Sequence, residues 1–200
     1  ANFQGWTNSG FDNYLVTPNP RTHRLLTRLA VENLFHPFQP FMIGQKLLAP
    51  KIAALMDIQL VFYGENEAEY GNPTDQVKGD KRESKFFAAE DTDIHLGGVA
   101  IEELQSKYGL QTADLHHYLP IKDETIVTKG IEVHYLGYYE RWHPQGAYYF
   151  AVENSGFQPS PERTVGTYSK YNSIDDKIDD LHYYTTFIKF GIGRATYDAA

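Results

Sequence analysis

The side chains best suited to chemistry follow an apolar run of strand length, residues 58–63, which ends at Gly64. Three carboxylates and one amide come directly after it: Glu65, Asn66, Glu67 and Glu69. Ligands of open α/β sheets bind beyond the carboxyl ends of the strands, so this pattern predicts a ligand or catalytic site. Acidic residues are equally favoured at the start of a solvated helix, and that alternative stays open.

A group of basic residues is a second candidate, for an anionic ligand such as phosphate. Arg21, His23 and Arg24 follow a proline-rich turn and lie in the first turn of a helix predicted over residues 22–35. The free N–H groups of a helix N-terminus attract anions, and basic side chains beside them strengthen that attraction. Ordinary surface charge is the alternative explanation.

An acidic segment near the C-terminus is a third candidate. Ser173 is predicted to cap a helix, with Asp176 three residues later as an aspartate version of the capping box. Four aspartates and a lysine lie within six residues: Asp175, Asp176, Lys177, Asp179 and Asp180. Capping and the helix dipole explain some of these acids. Binding of magnesium, at Asp176, or of sugar hydroxyls is the rival explanation.

The elements that would position these residues predict an α/β fold. Strands are expected near residues 13–17, 58–63 and 132–139, and helices over 22–35 and 42–56 separate the first two. This order is the βαβ pattern of a mainly parallel sheet flanked by helices. The predicted division is a βαβ part over 1–72, a charged loop or lid over 73–95, and the remainder of the α/β domain over 96–200.

Composition excludes several classes of function. The 200 residues carry a net charge of -8 without a lysine- or arginine-rich block, which disfavours nucleic-acid binding. There is no cysteine, so neither a disulfide, a thiolate metal site nor a cysteine nucleophile can form. No apolar run reaches the ~20 residues of a membrane span. A cytoplasmic protein is expected.

Several long runs of the sequence resemble the N-acetyl sugar amidotransferases of bacterial surface-polysaccharide synthesis. These runs are SGFDNYLVTPN (9–19), HRLLTRLA (23–30), ENLFHPFQPF (32–41), VFYGENEAEYGN (61–72), TYSKYNSIDDKIDDLHYYT (167–185) and IKFGIGRATYDA (188–199). The resemblance implies an adenine-nucleotide α-hydrolase-like sheet of the PP-loop ATP pyrophosphatase type. The implied activity converts the acetamido group of a nucleotide-linked N-acetyl sugar to acetamidino, in the synthesis of lipopolysaccharide O-antigen or a related glycan. ATP, Mg²⁺ and ammonia from a glutaminase partner subunit are the implied requirements.

Together with the resemblance, the polar clusters predict the site residues. The predicted catalytic residues are Glu65, Asn66, Glu67 and Lys170, and the predicted substrate-binding residues are Arg21, His23, Arg24, Glu69, Ser169, Asp175, Asp176, Lys177 and Arg194. The family's phosphate-binding signature, Ser-Gly-Gly-Lys-Asp-Ser, and its cysteine pairs do not occur in this sequence and are expected upstream of Ala1. The 200 residues alone are therefore expected not to turn over ATP. A non-catalytic module that binds the nucleotide sugar or docks the partner is the alternative, and a homo-oligomer is left open.

Overall fold

A computed structural model describes residues 2–64, 79–88, 94–174 and 176–194. The chain divides into two compact units. The central unit is Pro18–Arg141, and the terminal unit combines Ala1–Thr17 with Trp142–Ala200. Helices and a small parallel sheet make the protein a mixed α/β protein, which is the coarse part of the predicted fold class.

Two helices open the central unit, and both match helices expected from the apolar periodicity. Helix α2, Pro20–Leu34, begins where the Asn19 side chain accepts a hydrogen bond from the Arg21 backbone N–H at 2.9 Å. Proline suits this first helical position because its missing N–H would have no partner there. Helix α3, Gln39–Met56, follows after a short turn.

A proline inside α3 is compensated by a tyrosine from the sheet. Pro50 has no N–H to donate to the carbonyl oxygen of Lys46, one turn earlier in the helix. The Tyr63 hydroxyl lies 2.8 Å from that carbonyl oxygen and 3.1 Å from the carbonyl oxygen of Gln45. Tyr63 therefore supplies the hydrogen bond that the proline removes, and it ties α3 to the end of the adjacent strand.

The sheet of the central unit is a parallel pair. Strand β1, Leu60–Tyr63, and strand β4, Glu132–Tyr135, align so that Val61 lies opposite Val133 and Tyr63 opposite Tyr135. Both valines are buried. They pack in one apolar cluster with residues of α3 and of helix α6, Asp123–Lys129: Leu47, Ala53, Ala54 and Ile126. The strands predicted over 58–63 and 132–139 thus form a parallel pair, but each is shorter than expected.

A second apolar cluster of the central unit joins α2 to a short hairpin, which the sequence analysis missed. Strands β2, His95–Leu96, and β3, Val99–Ala100, are connected by Gly97 and Gly98, which both have positive φ. A Cβ atom on Gly97 would lie 2.9 Å from the carbonyl oxygen of Leu26, so only glycine allows the turn to approach α2 this closely. Helices α4, Ile101–Tyr108, and α5, Thr112–Leu115, contribute Leu104 and Leu115 to this cluster.

The terminal unit contains three described helices: α1, Asn2–Thr7, α7, Pro144–Asn154, and α8, Asp179–Phe190. Two sequence predictions are wrong here. Residues 13–17 form no strand and pair with none of the described strands. Ser173 does not cap a helix, because it has a left-handed backbone (φ 53°) and α8 begins only at Asp179, with Ile178 in the capping position.

We predict that Tyr63→Phe lowers the free energy of unfolding by about 1 kcal/mol, because it removes the hydroxyl that donates to the Lys46 carbonyl. In a Pro50→Ala background this loss of unfolding free energy should be smaller, since the N–H restored at residue 50 can donate to the carbonyl oxygen of Lys46. Denaturant unfolding of the two single variants and the double variant measures this coupling. Tyr184→Phe, at an exposed tyrosine of α8, is the matched control. If Tyr63→Phe lowered the free energy of unfolding equally with Pro50 and with Pro50→Ala, the Tyr63 hydroxyl would not be the donor that replaces the missing N–H.

Candidate functional site

A polar cavity of the terminal unit brings together three of the predicted substrate-binding residues. The cavity measures about 260 Å³, and Asp176, Lys177 and Arg194 all line it. Asp179 and Asp180, which belong to the acidic segment predicted as the third candidate, also line it, together with three residues that sequence reasoning did not assign to a site: Thr164, Val165 and Ser173. We call this cavity the Arg194 pocket.

The loop that forms one side of the Arg194 pocket is held by its own hydrogen bonds. The Thr164 hydroxyl donates to the carbonyl oxygen of Asn172 at 2.6 Å, and the Lys170 backbone carbonyl accepts from the N–H of Ser160 at 2.9 Å. Ser169 is buried, and its hydroxyl accepts from the Asn172 N–H at 3.3 Å. The loop closes on itself because buried polar groups need partners.

Lys170 also has a contact within this loop. Its ammonium donates to the carbonyl oxygen of Pro161 at 2.9 Å. Lys170 and Ser169, predicted as catalytic and substrate-binding residues, therefore support the loop beside the pocket and are not among the residues that line it. A role of either residue in chemistry stays a prediction.

Arg194 is fixed by contacts on three sides. Its Nη1 lies 2.8 Å from Oδ1 of Asp180 and 3.3 Å from the carbonyl oxygen of Val165. The guanidinium carbon lies 4.6 Å from the ring centroid of Tyr183, within the range of a cation–π contact. The arginine side chain is only 12% exposed, whereas that of Asp180 is 88% exposed. The guanidinium therefore keeps one orientation at the pocket.

The acidic side of the Arg194 pocket belongs to the start of α8. Oδ1 of Asp176 accepts a hydrogen bond from the Ile178 N–H at 3.0 Å, which fixes the turn before the helix. Asp179 and Asp180 occupy the first helical turn, where the positive end of the helix dipole stabilises carboxylates. Local structure therefore explains much of this acidity, which agrees with the explanation by capping and the helix dipole.

Magnesium binding at Asp176 finds no supporting group of ligands. Among residues 2–64, 79–88, 94–174 and 176–194, no three histidine or acidic side chains are placed to hold a metal ion together. Oδ1 of Asp176 already accepts the hydrogen bond from the Ile178 N–H. Magnesium at this position stays a prediction.

The predicted basic residues lie in the central unit. Nδ1 of His23 lies 2.8 Å from the hydroxyl of Tyr118, which is buried in the second apolar cluster. Burial raises the pKa of Tyr118 to about 12, so the phenol stays protonated and can donate to the imidazole. Arg21 and Arg24 are exposed on the first turns of α2. His23 thus has a structural contact, and the two arginines are open to solvent.

Five predicted site residues lie outside the part of the chain that the structure describes. They are Glu65, Asn66, Glu67, Glu69 and Asp175. Their assignment as catalytic or substrate-binding residues stays a prediction.

The central unit contains a polar network that sequence reasoning missed. Nε2 of His134 lies 3.1 Å from Oε2 of Glu132, and Nδ1 lies 2.6 Å from the Tyr139 hydroxyl. That hydroxyl donates to Oδ2 of Asp80 at 3.0 Å. Oε1 of Glu132 is paired with the Lys81 ammonium at 2.6 Å. The strand alternation that places Glu132 and His134 on one face of β4 was readable from the sequence.

The network holds residues 80–82 against the edge of β4 that does not pair with β1. The Arg82 N–H donates to the carbonyl of Val133 at 2.7 Å, and the Tyr135 N–H donates to the carbonyl of Asp80 at 2.9 Å. Lys81 and His134 lower the pKa of the Glu132 carboxyl through hydrogen bonds to its charged form. Desolvation, together with the bond to Asp80, raises the pKa of Tyr139. These contacts explain the network as a structural clamp.

The fold and the Arg194 pocket define a mixed α/β protein with a small, charged pocket in its terminal unit. The chain matches no protein-family model, and a search of curated proteins gives no match. None of the helices within the described ranges has the length and apolar character needed to cross a membrane.

We predict that Glu132→Gln destabilises the protein at neutral pH and loses this effect in acid. A carboxyl whose native pKa is lowered contributes stability above its ordinary pKa, and this contribution disappears as the pH falls through the native value. Denaturant unfolding from neutral pH down through the glutamate range measures the difference. Glu162→Gln, an exposed change in the terminal unit, is the control. A difference in unfolding free energy between Glu132→Gln and the unmodified protein that did not change with pH would contradict the prediction.

Proposed function

We propose that this chain is the substrate-side part of an ATP-dependent N-acetyl sugar amidotransferase. The enzyme would convert the acetamido group of a nucleotide-linked N-acetyl sugar to acetamidino with ammonia from a glutaminase partner. The observation that carries the proposal is the Arg194 pocket, since three predicted substrate-binding residues, from two of the resembling runs, line a single cavity: Asp176, Lys177 and Arg194.

The proposed reaction explains the need for ATP. An amide carbon is a weak electrophile because its oxygen is a poor leaving group. Transfer of adenylate from ATP to the amide oxygen releases pyrophosphate and makes that oxygen a good leaving group. The ammonia nitrogen then bonds to the carbon, AMP departs with the oxygen, and loss of a proton from nitrogen leaves the amidine. Binding the sugar in a fixed orientation is the part assigned to this chain.

The pocket offers the groups that sugar binding requires. Carboxylates accept hydrogen bonds from sugar hydroxyls, and the Lys177 ammonium and Arg194 guanidinium donate to hydroxyl or amide oxygens. Arg194 is already ordered by Asp180 and Tyr183, so little side-chain freedom is lost when a ligand binds. Mg²⁺ at Asp176 stays a prediction from the sequence, and ATP binding is not assigned to the described residues of the pocket.

We predict that Asp176→Asn and Lys177→Met, made in the full-length enzyme that contains this chain, each reduce kcat/KM for amidine formation about 10- to 100-fold. Loss of one charge-assisted hydrogen bond to the substrate has this size. The assay supplies ATP, Mg²⁺, ammonia and candidate nucleotide-linked N-acetyl sugars. Asp12→Asn, an exposed aspartate outside the pocket, is the matched control and should be unaffected.

Two results would contradict the proposal. Binding of the nucleotide sugar without ATP-dependent amidine formation would instead identify a non-catalytic sugar-binding module. Amidine formation at the normal rate in both pocket variants would show that the reaction does not use the Arg194 pocket.

A further inference from the structure

Lys51, in α3, contacts the segment that follows α5. Its ammonium donates a hydrogen bond to the carbonyl oxygen of His116 at 2.6 Å, and among the described residues this neutral oxygen is its only hydrogen-bond partner. Lys81 and Lys107 differ, because each pairs with a carboxylate, at 2.6 and 3.1 Å. A carboxylate stabilises the charged form of an amine more than a neutral carbonyl oxygen does. The surroundings of Lys51 therefore favour the uncharged amine more than those of the two paired lysines.

Two imidazoles lie beside this lysine. The rings of His116 and His117 have centroids 3.7 Å apart, and Nδ1 of His116 donates to the carbonyl oxygen of Ala113 at 2.7 Å. Burial lowers the pKa of the His117 imidazole, and the positive charges of His116 and Lys51 lower it further. The three basic groups are thus close enough to disfavour one another's charged forms. We call Lys51, His116 and His117 the Lys51 cluster.

The Lys51 amine is both nucleophilic and reachable. Burial lowers the pKa of Lys51 to about 8. At about pH 7.5, roughly a quarter of such an amine is unprotonated, against about one in a thousand at the ordinary lysine pKa. The unprotonated amine is the form that attacks electrophiles. Lys51 is only partly buried and His116 is exposed, so a reagent in solution has access to the amine.

We propose that Lys51 is a covalent modification site that accepts an acyl group from an acyl phosphate. The lone pair of Nζ attacks the acyl carbon, the bond from that carbon to the phosphate oxygen breaks, and inorganic phosphate leaves with the electron pair. The nitrogen loses one proton, which the phosphate takes up. The product amide keeps one N–H for the carbonyl oxygen of His116 and carries no charge to be desolvated. This modification is independent of the proposed amidotransferase reaction.

The Lys51 cluster favours an anionic acyl donor over a neutral one. Ammonium and imidazole groups attract phosphate and donate hydrogen bonds to its oxygens. Because His116 uses Nδ1 for the Ala113 carbonyl, Nε2 is the nitrogen that can donate to a phosphate oxygen when it is protonated. An acyl phosphate combines the anion that such a cluster attracts with the electrophilic carbon that the amine attacks. A neutral ester offers only the carbon.

Acetyl phosphate is the probe, and mass spectrometry of peptides from the folded full chain measures acetylation of each lysine over time. At about pH 7.5 we expect Lys51 to be acetylated about 10-fold faster than Lys107, the exposed lysine paired with Glu103. The rate at Lys51 should level off above about pH 9, where its amine is unprotonated, whereas the rate at Lys107 should keep rising. Unfolding the chain in urea should remove the preference.

His117→Glu places a carboxylate beside the amine and should slow acetylation of Lys51 about 10-fold at neutral pH, while Lys107 is unchanged. Circular dichroism checks that this variant is folded, and the pH profile of the unmodified chain tests the site without a substitution. Acetylation of Lys51 no faster than that of Lys107 would overturn the proposal, as would an unchanged Lys51 rate in folded His117→Glu. An equal preference for Lys51 with nitrophenyl acetate, a neutral donor, would reject acyl phosphates as the donor class.

Discussion

The parallel pairing of β1 with β4 is the constraint on which the central unit depends. Because Val61 and Val133 lie opposite each other and are both buried, the register puts one face of the pair on α3 and α6. A slip by one residue would turn these valines away from the core and expose them. The same register places Tyr63 where its hydroxyl reaches the carbonyls beside Pro50, and His134 on the opposite face, where it meets Tyr139.

The terminal unit is stabilised differently. Its buried residues within the described ranges are polar, namely Ser169, Thr185 and Thr186. Apolar side chains of α8 such as Tyr184 and Phe187 are more than half exposed. Hydrogen bonds within the loop and the Asp180–Arg194 pair therefore carry much of its order. The pocket is sensitive to the loss of Asp180, because that change takes the ion-pair partner from a guanidinium that is largely buried.

Apolar periodicity predicted two helices of the central unit, but it missed α1 and α6 and gave no information on long-range contacts. Helices α2 and α3 were found because their apolar positions recur at helical spacing. The hairpin at Gly97-Gly98 carried a readable turn signal that was overlooked. The predicted strand at 13–17 fails because no described strand pairs with it. Asp80 and Tyr139 are 59 residues apart, and no local pattern indicates that they meet. Asp176, Lys177 and Arg194 were predicted one by one, but not the cavity that joins them.

We propose that the terminal unit binds the sugar through the Arg194 pocket. Hydrogen–deuterium exchange of the full-length protein, with and without a nucleotide-linked N-acetyl sugar, tests this claim most directly. Slowed exchange in peptides covering residues 164–173 and 176–180, which include most of the residues that line the pocket, is the predicted result. Slowed exchange confined to peptides of the central unit would contradict it.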